Sequence, residues 1–259
     1  MTVKTITAAE LFDKMGAQKE LVLVDVRAEE KYNDYHIEHP GGIHIPKIDI
    51  FKLAEEPEQT ISSLPMNQEL IITCTTGNSA TKCANILSSR SYDVAVLEGG
   101  ITAWKEFVSK KSITDLWAEF KQRYPNAPDS YEAWAFGDST EMADELAKLV
   151  LEGKKTATAS NYTLYSLENE PLPTAGLHNV ILDGDGKAIA IVETTDVTVV
   201  PFDEVTEEQA YLEGEGDRSL TYWRDVHETF FAKELEGIGQ RFHQKMPVVC
   251  EKFKVVYKK

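Results

Sequence analysis

Leu70-Ile-Ile-Thr-Cys-Thr-Thr-Gly-Asn-Ser-Ala-Thr-Lys-Cys-Ala-Asn-Ile-Leu87 reads as strand, loop and helix in immediate succession. An apolar run ends at Cys74, small residues fill Thr75 to Ser79, and a helical pattern begins near Ala80. Small residues let a backbone curl until several N–H groups face one point, and such a nest ahead of a helix N-terminus holds negative charge. A thiol placed there is favoured as the thiolate, its nucleophilic form. The alternative is an inert structural cysteine, since cysteine is often fully buried.

The flanking sequence has the same grammar. Thr7-Ala-Ala-Glu10 is a capping box opening a helix that carries Leu11, Phe12 and Met15. Leu21 to Val26 is almost wholly apolar, as a strand buried on both faces requires, and Asp25 and Arg27 close it. That pair is expected either to anchor the neighbouring loop as an ion pair or to touch substrate. His36, His39 and His44 sit in a Gly/Pro-rich turn segment without a thiol or carboxylate at ligand spacing, so no metal is expected. Residues 54–65 read as an acidic loop or short helix. A strand over 94–97, the Gly99-Gly100 turn and a helix bearing Trp104 and Phe107 complete the half. Strands alternating with helices imply a parallel sheet, whose ligands bind at the carboxyl ends of the strands, where Cys74 lies.

Residues 5–108 resemble the rhodanese family. The resemblance is carried by Leu21-Val-Leu-Val-Asp-Val-Arg27, His36-Ile37, Pro40-Gly-Gly-Ile-His-Ile-Pro46, Cys74 with Gly77, and Leu97-Glu-Gly-Gly-Ile-Thr-Ala-Trp104, in that order. It implies an α/β rhodanese-like parallel sheet with helices on both faces. It also implies sulfur transfer, with Cys74 holding sulfane sulfur as a persulfide between a small donor and a thiol or protein acceptor. Thr75, Thr76, Gly77, Asn78 and Ser79 would supply N–H groups, with Asp25 and Arg27 in support. Many rhodanese loops place an arginine five residues after the cysteine; Ser79 stands there in this chain, which removes a grip on thiosulfate. Ala80 stands where a Cys-x5-Arg phosphatase needs its arginine, which argues against phosphatase or arsenate reductase chemistry. Lys82 is the nearest cation in sequence, and Cys83 is either a packing residue or a resolving thiol.

Ser109-Lys-Lys-Ser-Ile-Thr114 reads as a polar join, with domains expected at 1–110 and 111–259. A helix is expected from Thr114 or Asp115 through Arg123, and Tyr124-Pro-Asn-Ala-Pro128 breaks it. Asp138-Ser-Thr-Glu141 reads as a capping box before the amphipathic Met142, Leu146, Leu149 and Val150, with Gly153 as the stop. A hairpin over 180–192, a further strand over 194–200, helices near 206–213 and 219–235, and a strand over 248–256 follow. Residues 112–259 resemble the ASCH family through Trp134-Ala-Phe-Gly-Asp138, Gly153-Lys-Lys-Thr-Ala-Thr-Ala-Ser160, Leu182-Asp-Gly-Asp-Gly186, Pro201-Phe-Asp-Glu-Val205 and Ala210-Tyr-Leu-Glu-Gly-Glu-Gly-Asp217. This implies an α+β domain with a PUA-like β-barrel that handles RNA or a nucleoside. Some members hydrolyse the amide of N4-acetylcytidine, and Lys155, Thr158 and Glu213 match their catalytic positions: lysine as base or orienter, threonine as nucleophile, glutamate as positioner. The plain alternative is a structural Lys155–Glu213 ion pair beside an ordinary strand threonine. Arg218, Tyr222, Trp223 and Arg224 are either a base-stacking face or core.

Net charge is −16 over 259 residues. Residues 1–111 carry 12 Lys+Arg against 16 Asp+Glu, and residues 112–259 carry 15 against 27. Such acidity disfavours wide contact with DNA or long RNA and favours a small nucleoside in the second half. Three cysteines argue against a disulfide framework, and no apolar run approaches a membrane span or a signal peptide, so a cytoplasmic location is expected. No cofactor is expected. Three functions are carried forward: sulfur transfer with a base-presenting second domain, an amidohydrolase on an acetylated nucleoside, and a binding protein whose loop has lost catalysis.

Overall fold

A computed structural model of the chain describes residues 3–17, 21–56 and 58–258. Met1 and Thr2, part of the N-terminal stretch read above for a signal peptide, lie outside them, as does Pro57 of the acidic segment. The chain divides into two compact units, Met1–Val108 and Ser109–Lys259. No helix among the described residues is long and apolar enough to cross a membrane.

The first unit is a five-stranded, all-parallel sheet of β1 (Lys4–Ile6), β2 (Val22–Asp25), β3 (Gly42–His44), β4 (Leu70–Thr73) and β5 (Val94–Leu97), in the order β1-β5-β4-β2-β3. Its helices are α1 (Ala8–Ala17), α2 (Glu29–Asp34), α3 (Lys47–Glu55), α4 (Asn78–Ser89) and the start of α5 (Gly100–Arg123). Alternation along β4 explains its unbroken hydrophobicity: Leu70, Ile72 and Cys74 join a core with Ile50, Leu53, Cys83 and Leu87 of α3 and α4. Ile71 points the other way, into a core with Leu11 of α1 and Ile101 and Trp104 of α5. Thr7 caps α1 as expected, its hydroxyl accepting from the Glu10 N–H while the Glu10 carboxylate accepts from the Thr7 N–H. The acidic segment resolves into the end of α3 followed by turns.

The polar stretch 109–114, which begins where the two units divide, is helical, and the helix expected from Thr114 or Asp115 starts earlier. The stretch lies inside α5, continuous from Gly100 to Arg123, because nothing in Ser-Lys-Lys-Ser-Ile-Thr breaks a helix and the Ser109 carbonyl and Lys110 carbonyl accept from the Ser112 and Thr114 hydroxyls. The second unit is a mixed sheet of β6 (Glu132–Ala135), β7 (Ala157–Asn161), β8 (His178–Leu182), β9 (Ala188–Pro201) and β10 (Pro247–Lys258), in the order β6-β8-β9-β10-β7. The hairpin strand and the strand expected after it are one element, β9. β10 takes register shifts at Lys252/Phe253 and Val255/Tyr257, where bulges bend the sheet into a half-barrel that stays open between β6 and β7. Helix α6 (Thr140–Leu151) covers part of one face, and α7 (Tyr162–Glu168), α8 (Glu207–Glu213) and α9 (Leu220–Gly237) complete the unit. Ser139, rather than Asp138, caps α6 by accepting from the Met142 N–H; Asp138 instead pairs with Lys233 at 2.6 Å.

Candidate functional site

Cys74 follows β4 directly, and its sulfur takes the place of a side-chain cap for α4. Gly77, the residue before the helix, has φ +91° and no side chain, so an orphan N–H of the first turn needs another partner. The Ala80 N–H donates to Cys74 Sγ at 3.3 Å. This is where a helix stabilises negative charge. The helix begins at Asn78, two residues earlier than its pattern suggests. Among the described residues the amide that reaches the sulfur is therefore Ala80's, and none from Thr75 to Ser79 donates to it. Thr75, Thr76 and Asn78 are exposed, Gly77 is buried and Ser79 half-buried. Cys74 itself is buried, 5% exposed.

The turn before α5 holds the loop from behind. The Ile101 N–H donates to the Cys74 carbonyl at 2.9 Å, and the Thr102 N–H and hydroxyl donate to the Thr75 carbonyl at 3.1 and 3.0 Å. Carbonyl oxygens are thereby tied down away from the sulfur. A Cβ on Gly100 would lie 2.1 Å from the Cys74 carbonyl oxygen, so only glycine permits this approach.

Asp25 and Arg27 are buried and bound to each other. Arg27 Nε reaches both carboxylate oxygens at 3.0 Å, its Nη2 lies 2.6 Å from Asp25 Oδ2, and it also donates to the Tyr35 carbonyl. Both partners' charges are thus committed to fixing the β2 end, and Val26 N–H donates to the Thr73 carbonyl, tying that end to the cysteine strand. Tyr32 is stacked between His36 and His44, at 4.3 and 4.2 Å, and His39 Nδ1 accepts from the Gly41 N–H. Cys83 is fully buried, and burial, with Cys74 nearby, pushes its thiol up to about 12. It is a packing residue, protonated at neutral pH. Lys82 is exposed on α4.

The second unit holds a different cluster. Lys155 and Glu213 are each 1% exposed, with Nζ 3.5 Å from Glu213 Oε2 and 2.7 Å from Glu215 Oε1. Glu213 Oε1 accepts from Trp223 Nε1 at 2.7 Å and Gln209 Nε2 at 3.2 Å, and His227 Nε2 lies 3.5 Å from Oε2. Burial pushes the Glu213 carboxyl up, but Lys155, His227 and Trp223 together outweigh it and hold the group at about 2. Lys155 Nζ also lies 5.0 Å above the Phe136 ring. Thr158 stands on β7, half-buried, its carbonyl accepting from Gln209 Nε2; its hydroxyl makes no hydrogen bond among the described residues. The structure thus joins Lys155 to Glu213 and leaves the Thr158 hydroxyl free.

Glu215, Gln209, His227 and Phe136 were not read as site residues. Gln209 lies four residues before Glu213 on α8, a spacing that puts both on one helix face, and Glu215 repeats the acid across Gly214; both signals are legible. Trp223 is core, Arg218 rests on Tyr211 at 5.1 Å, Arg224 donates to the Asp203 carbonyl, and Tyr222 is exposed.

Comparison with known proteins divides the chain in the same way. The profile of the rhodanese-like domain matches residues 7–107, and that of the ASCH domain matches residues 132–257. The Bacillus subtilis protein named "Putative sulfurtransferase YtwF" is 30% identical over 105 residues, which is 40% of this chain and 93% of that one. Protein EF3133 from Enterococcus faecalis is 38% identical in solved structure, covering 56% of this chain and 88% of that chain with a TM-score of 0.53. The ASCH domain from Lactobacillus crispatus is 34% identical, covering 59% and 94%, with a TM-score of 0.50.

Proposed function

The chain belongs to the rhodanese-like family over its first unit and to the ASCH family over its second, and from that premise we propose that it is a sulfurtransferase carrying sulfur as a persulfide on Cys74. The observation that carries this reading is the Ala80 N–H aimed at Cys74 Sγ across the start of α4. In the first step the Cys74 thiolate attacks the sulfane sulfur of the donor. An S–S bond forms, the donor's own bond to that sulfur breaks, and its electron pair leaves with the remainder, sulfite in the case of thiosulfate. In the second step an acceptor nucleophile takes the outer sulfur and the Cys74 thiolate returns. The terminal persulfide sulfur is anionic, and the helix N-terminus stabilises it as it does the thiolate. With Ser79 where many family members carry arginine, a sulfonate-bearing donor has no bidentate grip in the loop, which favours a persulfide donor over thiosulfate. Sulfur transfer from glutathione persulfide to cyanide tests this: thiocyanate formation is expected, is lost in Cys74→Ser, and is retained in Cys83→Ala. Equal rates in the wild type and Cys74→Ser remove Cys74 from the reaction.

A second reading is favoured by the buried lysine between two carboxylates: the ASCH unit hydrolyses the acyl amide of a nucleoside such as N4-acetylcytidine. Thr158 Oγ would attack the acetyl carbonyl with Lys155, ion-paired to its two carboxylates, as the orienting group, and the hydroxyl proton would pass to N4. The C–N4 bond would break with N4 taking a proton, and water would release acetate from the threonine ester. Glu213, locked by four neighbours, positions Lys155. Acetate release lost in Lys155→Ala supports this; unchanged release clears Lys155 of the role.

A further inference from the structure

Glu251 on β10 is a carboxyl in an unusual place. It is 8% exposed, in the middle of a strand, and forms no ion pair among the described residues. Its one hydrogen bond among the described residues comes from the Thr194 hydroxyl, at a long 3.4 Å. A carboxyl has about four acceptor positions, so most of its capacity is unused, at a cost that a structural role does not explain. Directly across the ladder, Glu251 is the register partner of Thr158, so both side chains leave the same face of the sheet. The Thr158 hydroxyl makes no hydrogen bond among the described residues.

The surroundings of that face are built. Thr194 accepts from Asn179 Nδ2 at 3.4 Å, Asn179 Oδ1 accepts from Trp134 Nε1 at 3.1 Å, and Trp134 packs edge-on to Phe136 at 4.6 Å, the ring beneath Lys155. A chain of contacts therefore runs from Glu251 through Thr194, Asn179, Trp134 and Phe136 to Lys155, which lies two residues before the start of β7, the strand that carries Thr158.

We propose that Glu251, across the ladder from Thr158, is the recognition group of a binding site for an amide-type edge, a hydrogen-bond acceptor beside an N–H donor, as a cytosine base presents through N3 and its N4–H. A protonated carboxyl donates through its O–H and accepts through its carbonyl, which matches both positions at once. Burial raises the Glu251 carboxyl to about 7, partly offset by Thr194 and reinforced by Glu132 of β6, so the donor is present at mildly acid pH. Tyr165 of α7 also interacts with it electrostatically, and its hydroxyl is bonded to Ser160 at 2.9 Å. The inference deepens the nucleoside reading of the ASCH unit by assigning the group that reads the base.

Calorimetric titration of the full chain with N4-acetylcytidine and with cytidine, at pH 6 and pH 8, tests it. Wild type is expected to bind about tenfold more weakly at pH 8, since a group titrating near 7 loses its proton over that interval. Glu251→Gln, which keeps a donor and an acceptor, is expected to bind equally at both values, and Glu251→Ala to bind roughly tenfold more weakly at pH 6. Circular dichroism on each variant separates misfolding from lost recognition. No binding by the folded wild type, or affinity unchanged in Glu251→Ala, overturns the proposal. Intact binding without acetate release would instead sink the hydrolase reading and leave this one standing.

Discussion

Glu213 and Glu251 are carboxylates of one unit, both nearly sealed from water, and they depart from the ordinary value of 4.5 in opposite directions. Glu213, held at about 2 despite burial by Lys155, His227 and Trp223, contributes stability that is complete above pH 4.5 and is lost as pH falls toward 2. A shift of that size corresponds to about 3 kcal/mol. Glu251, raised to about 7 by burial, does the reverse: its contribution is complete below pH 4.5 and is lost as pH rises through 7. Glu251→Gln should therefore leave urea-unfolding stability unchanged near pH 4.5 and increase it at pH 8, by up to about 3 kcal/mol. A gain of equal size at both values would mean that titration is not its source. Removing the other acid is a different matter. Glu213→Ala strands the indole N–H of Trp223 and leaves His227 without its carboxylate, so a loss of about 3–5 kcal/mol is expected by the same denaturation, where a surface glutamate would give almost none.

At the level of elements, the strand–loop–helix around Cys74 depends on two glycines for different reasons. Gly77 has φ +91°, but an added Cβ would meet nothing nearer than 3.6 Å, so alanine there carries backbone strain alone, about 1 kcal/mol. Gly100 combines φ +62° with carbonyl oxygens at 2.1 and 2.8 Å from the added carbon, so alanine must push the loop away. Gly100→Ala is expected to cost more stability than Gly77→Ala and to abolish sulfur transfer, measured by thermal melting and thiocyanate formation; equal effects would show that the close approach is not needed. Much of this was legible in sequence because the signals are local: the apolar run of β4, the Thr7–Glu10 cap, the paired Gly99-Gly100. Where the reading stopped short, the information was not local. Residues 109–114 are polar with no breaker, and whether they continue a helix depends on Ile101 and Trp104 before them and Leu116 and Phe120 after them having cores to enter. Helix α7 is hidden by β-favouring Tyr162, Thr163 and Tyr165 and is declared by its ends, Asn161 as N-cap and Asn169 in the left-handed conformation. At the second site Lys155 and Glu213 were legible through the resemblance, whereas Glu251 was not: its partner Thr158 is 93 residues away, and only the strand register brings them together.

Across the whole molecule, each unit has buried clusters of its own and a candidate site of its own, a thiol at a helix start in one and a lysine–carboxylate cluster in the other. Lys155→Ala should leave sulfur loading unchanged, and Cys74→Ala should leave acetate release unchanged; a loss in either crossed pair would mean that the chemistries are coupled. The most acidic part of the chain is the second unit, which fits a small neutral ligand better than a long phosphate backbone. Everything assigned to the first unit rests on Cys74 accepting sulfur. Intact-protein mass spectrometry after incubation with a persulfide donor reads that directly. A gain of one sulfur atom, removed by reductant, absent in Cys74→Ala and present in Cys83→Ala, is the predicted result. No gain on the folded wild type, under donor conditions that load another rhodanese-like domain, or a gain that persists in Cys74→Ala, would contradict it.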